Sequence, residues 1–206
     1  MAVTSNLSTS FAGDEEIVTA IQAAPDRAPG SLDLVRLFEN TVDLPNGPDE
    51  LDSLERARAW CASHGLPTPL DGAHVELLRA FREALRDLLF ANNGEGDQHA
   101  AWEALSPFLS RARLGLNIDP DRGLELQPVS HEAEGPIAAL LTIVYESLLK
   151  GTWSRLRACR KQTCRFAYYD QTKNGSRAWC SMATCGNQAK AQRRRARERN
   201  TSPMSS

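Results

Sequence analysis

No stretch of the 206 residues approaches the ~18 consecutive apolar residues that a helical membrane span requires, so an integral membrane protein of that kind is not expected. Residues 1–12 hold no Lys or Arg and no continuous apolar run, so they do not read as a secretory signal, and the chain reads as cytoplasmic. Histidine is scarce: His64, His74, His99 and His131 fall in different parts of the chain. With no Gly-rich phosphate loop and no nucleophile motif beside them, an enzyme is not expected. There is no internal repeat. Acidic residues are nearly missing from one end, where residues 151–206 hold 13 Lys or Arg against 2 Asp or Glu while residues 1–150 hold 11 against 24. A formal net charge of −2 therefore conceals a basic end and an acidic body. Such division marks either an arm for nucleic acid or a basic end that folds back on its own body.

What is present divides the chain into four parts. Residues 1–29 are rich in Ser, Thr, Ala and Pro and are expected to form a disordered arm, although Ile17, Val18 and Ile21 can line a short helix. Residues 30–150 read as a helical domain with one β-hairpin. Apolar residues at Leu34, Val35, Leu37 and Phe38 imply a helix ending at Asn40-Thr41. Leu54, Ala57, Trp60 and Cys61 imply a second, capped by Asp52 or Ser53 and stopping near His64-Gly65. Val75, Leu77, Leu78, Phe81, Leu85, Leu88 and Leu89 form the broadest stripe, over 71–92. Trp102, Leu105, Phe108 and Leu109 predict a helix over 97–110. Alternation at Leu114, Leu116 and Ile118, and again at Leu124, Leu126 and Pro128, predicts a hairpin turning at 119–123. Ile137, Leu140, Leu141, Val144, Leu148 and Leu149 offer a core face to a helix over 132–150. The fold class expected is mainly α with a small β-hairpin (α+β), then a four-cysteine finger over 151–200 and a disordered tail at 201–206.

Four of the five cysteines cluster as Cys159-x4-Cys164-x15-Cys180-x4-Cys185. Clustered thiols in a reducing compartment are metal ligands more often than disulfides, and two short loops with two thiolates each match tetrahedral Zn²⁺. Four sulfurs leave no open coordination position, so the zinc is expected to be structural. Cys61, in an apolar helical setting, reads as a buried core thiol. A finger this small has too little core to fold alone, and the metal is expected to supply much of its stability.

After Gly186, residues 189–199 are strong helix formers that carry Lys190, Arg193, Arg194, Arg195, Arg197 and Arg199 with almost no apolar content. Cations on a helix anchored by metal suit a phosphate backbone. The expected nucleic-acid contacts are Arg177, Asn187, Lys190, Arg193, Arg194, Arg195 and Arg197, with DNA the leading partner and RNA or an acidic protein the alternatives. Lacking an apolar face, the helix is not expected to bind membranes. In the body, Asn40, Thr41 and Arg82 are polar groups beside apolar stripes. They are candidates for a pocket that takes a small-molecule effector, the plainer reading being a cap at Asn40 and a salt bridge at Arg82. The other role open to the body is joining subunits into a homo-oligomer.

The stretch Asp170-Gln171-Thr172-Lys173-Asn174-Gly175-Ser176-Arg177-Ala178-Trp179-Cys180-Ser181-Met182-Ala183-Thr184-Cys185-Gly186-Asn187-Gln188-Ala189-Lys190-Ala191 resembles the CGNR zinc-finger family. It departs at Gln188, where that family has Arg. The body, through Phe38-Glu39-Asn40-Thr41, the 78–85 stretch with Arg82-Glu83-Ala84-Leu85 and the hairpin, is similar to the ABATE domain that precedes this finger. The resemblance covers about residues 30–200 and implies a stress-related transcriptional regulator.

Overall fold

The computed structural model describes residues 26–44, 47–121, 123–129 and 135–201. Its elements in chain order are α1 (Leu32–Glu39), α2 (Leu54–Ser63), α3 (Gly72–Asn92), α4 (Gln98–Arg111), β1 (Leu114–Asp119), β2 (Gly123–Pro128), α5 (Gly135–Leu149), β3 (Leu156–Ala158), β4 (Ala167–Tyr169) and α6 (Asn187–Thr201). The class is α+β, mainly helical, as expected. Besides the expected antiparallel pair β1–β2, a second short antiparallel pair, β3–β4, builds the cysteine end. Of the arm expected over 1–29, residues 1–25 lie outside the described residues, as do residues 202–206 of the tail.

Helix starts follow from side-chain caps that satisfy otherwise unpaired amides. Ser53 accepts from the Arg56 amide at 3.3 Å, Asp71 from His74 at 3.1 Å, and Asp97 from His99 at 2.8 Å. The 21 residues of α3 span roughly 30 Å at 1.5 Å per residue and form the axis of the domain. Its face with Val75, Leu78, Phe81, Leu85 and Leu88 is buried against Val35 and Phe38 of α1, Trp60 of α2, Phe108 of α4 and Leu140 of α5. The rings interlock, Phe38 lying 5.7 Å from Trp60 and 6.0 Å from Phe81, and Phe81 lying 5.3 Å from Phe108. Cys61 is fully buried in this core and its thiol is pushed up to about 11 by burial, as expected of an inert packing residue.

Four apolar residues of the expected helical stripes are exposed instead: Leu37, Leu109, Leu148 and Leu149. The buried stripe of α5 ends through Val144 and Ser147, which leaves Leu148 and Leu149 beside it. In α4 the buried positions are Ala101, Leu105 and Phe108, a stripe that Leu109 flanks.

Candidate metal centre and nucleic-acid interface

Strand β3 delivers Cys159, whose amide donates to the Phe166 carbonyl at 3.0 Å across the loop between β3 and β4. Within that loop the amides of Cys164 and Arg165 turn back onto the Lys161 carbonyl, at 2.8 and 3.0 Å. Arg165 closes the turn with φ 46°, in the left-handed region that a non-glycine residue occupies at a cost on the order of 1–3 kcal/mol. Its guanidinium is tied down on α3 by an ion pair to Asp87 and by stacking 4.9 Å over the Phe90 ring. On the other side Ser181 caps the wide turn Met182–Gly186 by accepting from the Thr184 amide at 3.3 Å, and that turn carries Cys185. A Cβ at Gly186 would stand 2.6 Å from the Met182 sulfur and 3.3 Å from Trp179, so the exposed Met182 side chain would have to move aside.

The two loops bring all four sulfurs within 4.8 Å of one another. Cys180 Sγ lies 3.6 Å from Cys164 and 3.7 Å from Cys185. A tetrahedron with Zn–S bonds of ~2.3 Å has edges of roughly 3.8 Å, which both of these separations match. Crowding sets their ionisation. Hydrogen bonds from Cys164 and Cys180 favour the Cys159 thiolate and draw its pKa far down, while that thiolate pushes Cys164 up to about 12 and Cys180 higher still. Four thiolates cannot share this cavity without a cation, and the donor set is that of a soft divalent metal.

A network of hydrogen bonds stands behind the cysteines, centred on the fully buried Asp170. Its carboxylate accepts from the Thr172 amide and hydroxyl at 2.9 and 2.6 Å, from the Arg177 amide at 2.9 Å and from Arg157 at 3.1 Å. Burial alone would raise its pKa, but these donors outweigh it and hold the group below the usual carboxylate range. Arg177 lies 4.5 Å over the Tyr168 ring and donates to the carbonyls of Trp179 at 2.9 Å and of Cys180. It also pairs with Asp26 at 2.5 Å, and the Tyr169 amide reaches the Asp26 carbonyl at 3.1 Å, so residues 26–29 are docked on the cysteine end.

The turn at Met182–Gly186 runs without a break into α6. Residues 190–199 of that helix are exposed on every side, including Ala191 and Ala196. Lys190, Arg193, Arg194 and Arg197 border one shallow recess, with Arg194 donating to Glu198 at 2.7 Å. Near the cysteines, Gln188 accepts from Lys161 at 2.6 Å and lines a cleft with Trp179, Gln192 and Thr163. Asn187, at the start of the helix, donates to the Ala183 carbonyl at 3.2 Å. Among the described residues no helix is long and apolar enough to cross a membrane.

A family model for the ABATE domain, described as "putative stress-induced transcription regulator", matches residues 17–149, and one for the CGNR zinc finger matches residues 155–198. The chain belongs to the ABATE family. Its CGNR finger follows the ABATE domain in the order the resemblance implied. No curated protein matches the chain.

The ABATE domain and the finger meet at the C-terminal end of α3. Asn93, buried there, points its amide at the carbonyls of Ala158 at 2.7 Å and Ala178 at 3.0 Å and at the Tyr168 hydroxyl at 3.1 Å. Arg160 returns the contact, its Nε and Nη2 donating to the Asn93 carbonyl at 3.0 and 2.6 Å. In the sequence Asn93-Gly94 reads only as a helix stop, since a turn asparagine carries no mark of what its side chain meets. Asp170 did carry a signal, being one of only 2 acids among 13 basic residues at that end.

The expected effector residues are placed differently. Asn40 of the ABATE domain bonds both ways to Ala167 of β4, at 2.8 Å each, as a neighbouring strand would. Arg82 makes a buried two-pronged pair with Asp49 at 2.7 and 2.8 Å and donates to the Thr41 hydroxyl at 2.8 Å, while that hydroxyl donates to the Phe38 carbonyl. Arg82 and Thr41 are engaged inside the domain, with the salt bridge of the plainer reading at Arg82, whereas the Asn40 side chain is spent on β4 of the finger. Arg177 is likewise not offered to nucleic acid. Its guanidinium is taken up by the carbonyls of Trp179 and Cys180 and by the Asp26 carboxylate.

Proposed function

We propose that the chain is a cytoplasmic, DNA-binding regulator of transcription in which Cys159, Cys164, Cys180 and Cys185 hold a structural zinc and α6 enters a DNA groove. The observation that carries this reading is the rigid continuity of Cys185, Gly186 and α6, which fixes an exposed cationic helix to the sulfur cluster. Zinc bound there screens the thiolates against one another and locks both loops. Lys190, Arg193, Arg194, Arg195 and Arg197 then face phosphates, with Asn187 near the groove wall.

An isolated helix with no buried side suits the major groove of B-form DNA, whereas the deep, narrow major groove of A-form RNA excludes it. About five phosphate contacts imply a slope of log affinity against log salt near −4 to −5. Fluorescence anisotropy on random duplex across a salt series reads this slope. Arg193→Ala with Arg194→Ala should reduce it by about 2. Binding that ignores salt, survives removal of the metal, or is displaced more readily by RNA than by duplex DNA overturns the reading.

A further inference from the structure

Strand β1 pairs with β2 on one side, and among the described residues no strand lies on its other side. Natural edge strands are usually shielded by Lys, Pro or a bulge. β1 has none of these. Instead its apolar face continues outward: Leu116, Ile118 and Leu124 are 69, 77 and 67% exposed, next to exposed Tyr145 and Leu149 of α5. Leu124, Tyr145 and Leu149 also border a groove of about 400 Å³.

The charges flanking β1 are arranged about its centre. Counting outward from Leu116, Arg113 and Asp119 lie at equal distances on opposite sides, and so do Arg111 and Asp121. The first pair brackets the strand and the second lies just beyond it. Leu114 and Ile118 are likewise equidistant, on the same face as Leu116. A second β1 laid antiparallel about a two-fold axis at Leu116 therefore sets Arg113 against Asp119 twice over. The same register sets Leu114 against Ile118 and Leu116 against itself.

We infer that β1 is the centre of a homodimer, joined edge to edge through this register into a four-stranded sheet β2-β1-β1-β2. The occupant is a second copy of the chain, because only a copy supplies the reversed order of the same charges. The apolar strip contributes on the order of a few hundred Å². A closed two-fold contact of this kind is self-limiting, so it leads to dimers and not fibres. The inference goes beyond the DNA-binding reading and is read by mass, so either can fail without the other.

Analytical ultracentrifugation of the zinc-loaded full chain tests it. The wild type should sediment as a dimer over a concentration series. Arg113→Asp alone and Asp119→Arg alone should each shift the equilibrium at least tenfold toward monomer. An equimolar mixture of those two variants should recover the dimer, since each supplies what the other lacks. Leu116→Lys with Ile118→Lys, at exposed positions that leave the fold intact by circular dichroism, should abolish it. A wild type that is monomeric at the highest concentration reached overturns the inference, as does a dimer indifferent to these changes. If the monomer's β1 amides nonetheless resist hydrogen exchange, a segment of the same chain covers the edge, which also overturns it.

Discussion

The Arg177 guanidinium lies 4.5 Å over the Tyr168 ring and joins the carbonyls of Trp179 and Cys180 in the finger to the Asp26 carboxylate outside it. Arg177→Ala leaves those half-buried acceptors without a donor and should cost about 2–3 kcal/mol, the range for hydrogen bonds to a charged group. Arg177→Lys should rescue little, because a single ammonium lacks the planar fork that reaches several acceptors. Thermal melting together with zinc content checks this. Arg194→Ala, fully on the exposed helix, should leave both unchanged.

Metal removal should act beyond the finger. Zinc sites of this type supply on the order of 10–16 kcal/mol to the folded peptide. Without the metal no coordinate bond ties the two loops to each other, and they come apart. Elemental analysis should find one zinc per chain and Cys180→Ser should abolish it. On chelation, amide exchange should accelerate first in β3 and β4 and then at the end of α3, because Asn93 and Arg160 tie those elements together. Exchange confined to the finger would mean that the junction transmits nothing.

Much of this architecture is legible in the chain. The period of Val75, Leu78, Phe81, Leu85 and Leu88 gives α3, Asp71 and Asp97 give helix starts, and alternation around 119–123 gives the hairpin. The cysteine spacing brings four sulfurs to one place. What escapes is long-range. Asn40, Asn93 and Arg177 are each equally at home on a surface, and nothing local distinguishes a side chain that caps its own helix from one that completes a distant strand. Exposure at the end of α5 is also invisible locally, because periodicity says which face is apolar but not where the partner layer stops.

Asn93→Ala tests the junction. It removes the donor shared by Ala158, Ala178 and the Tyr168 hydroxyl at a buried position. Stranding buried acceptors costs about 1–3 kcal/mol each when no water replaces the donor. The expected loss is about 2–4 kcal/mol in denaturant unfolding, with a lower midpoint and zinc that is released at a lower chelator concentration.

Gln188 stands where the family has Arg, and Lys161 donates to it at 2.6 Å. Gln188→Arg sets two cations side by side at an exposed position, a destabilisation below about 1 kcal/mol. The same change adds one cation to the cleft between the Lys161 loop and α6. Duplex DNA should then bind more tightly at low salt, with a slope steeper by about 1. An unchanged slope would place this cleft away from the phosphates.

Glu39 is fully buried at the end of α1 and its carboxylate oxygens have no hydrogen-bond donor among the described residues. Arg86 Nη2 approaches to 3.7 Å, but that guanidinium is already committed to the Glu39 and Arg165 carbonyls and to Glu83 at 3.2 Å. Burial therefore outweighs the nearby charge and raises the pKa from 4.5 to about 8. A carboxyl that holds its proton more tightly folded than unfolded favours the fold at low pH. Its contribution is complete below 4.5, declines between 4.5 and about 8, and is gone above that. Glu39→Gln keeps the shape and the neutral state, so the variant should match the wild type near pH 5 and exceed it on the alkaline side by on the order of a few kcal/mol. Denaturant midpoints of both proteins measured from pH 5 to pH 9 check this. Two parallel pH profiles would mean that Glu39 is ionised in the fold and that Arg86 pairs with it after all.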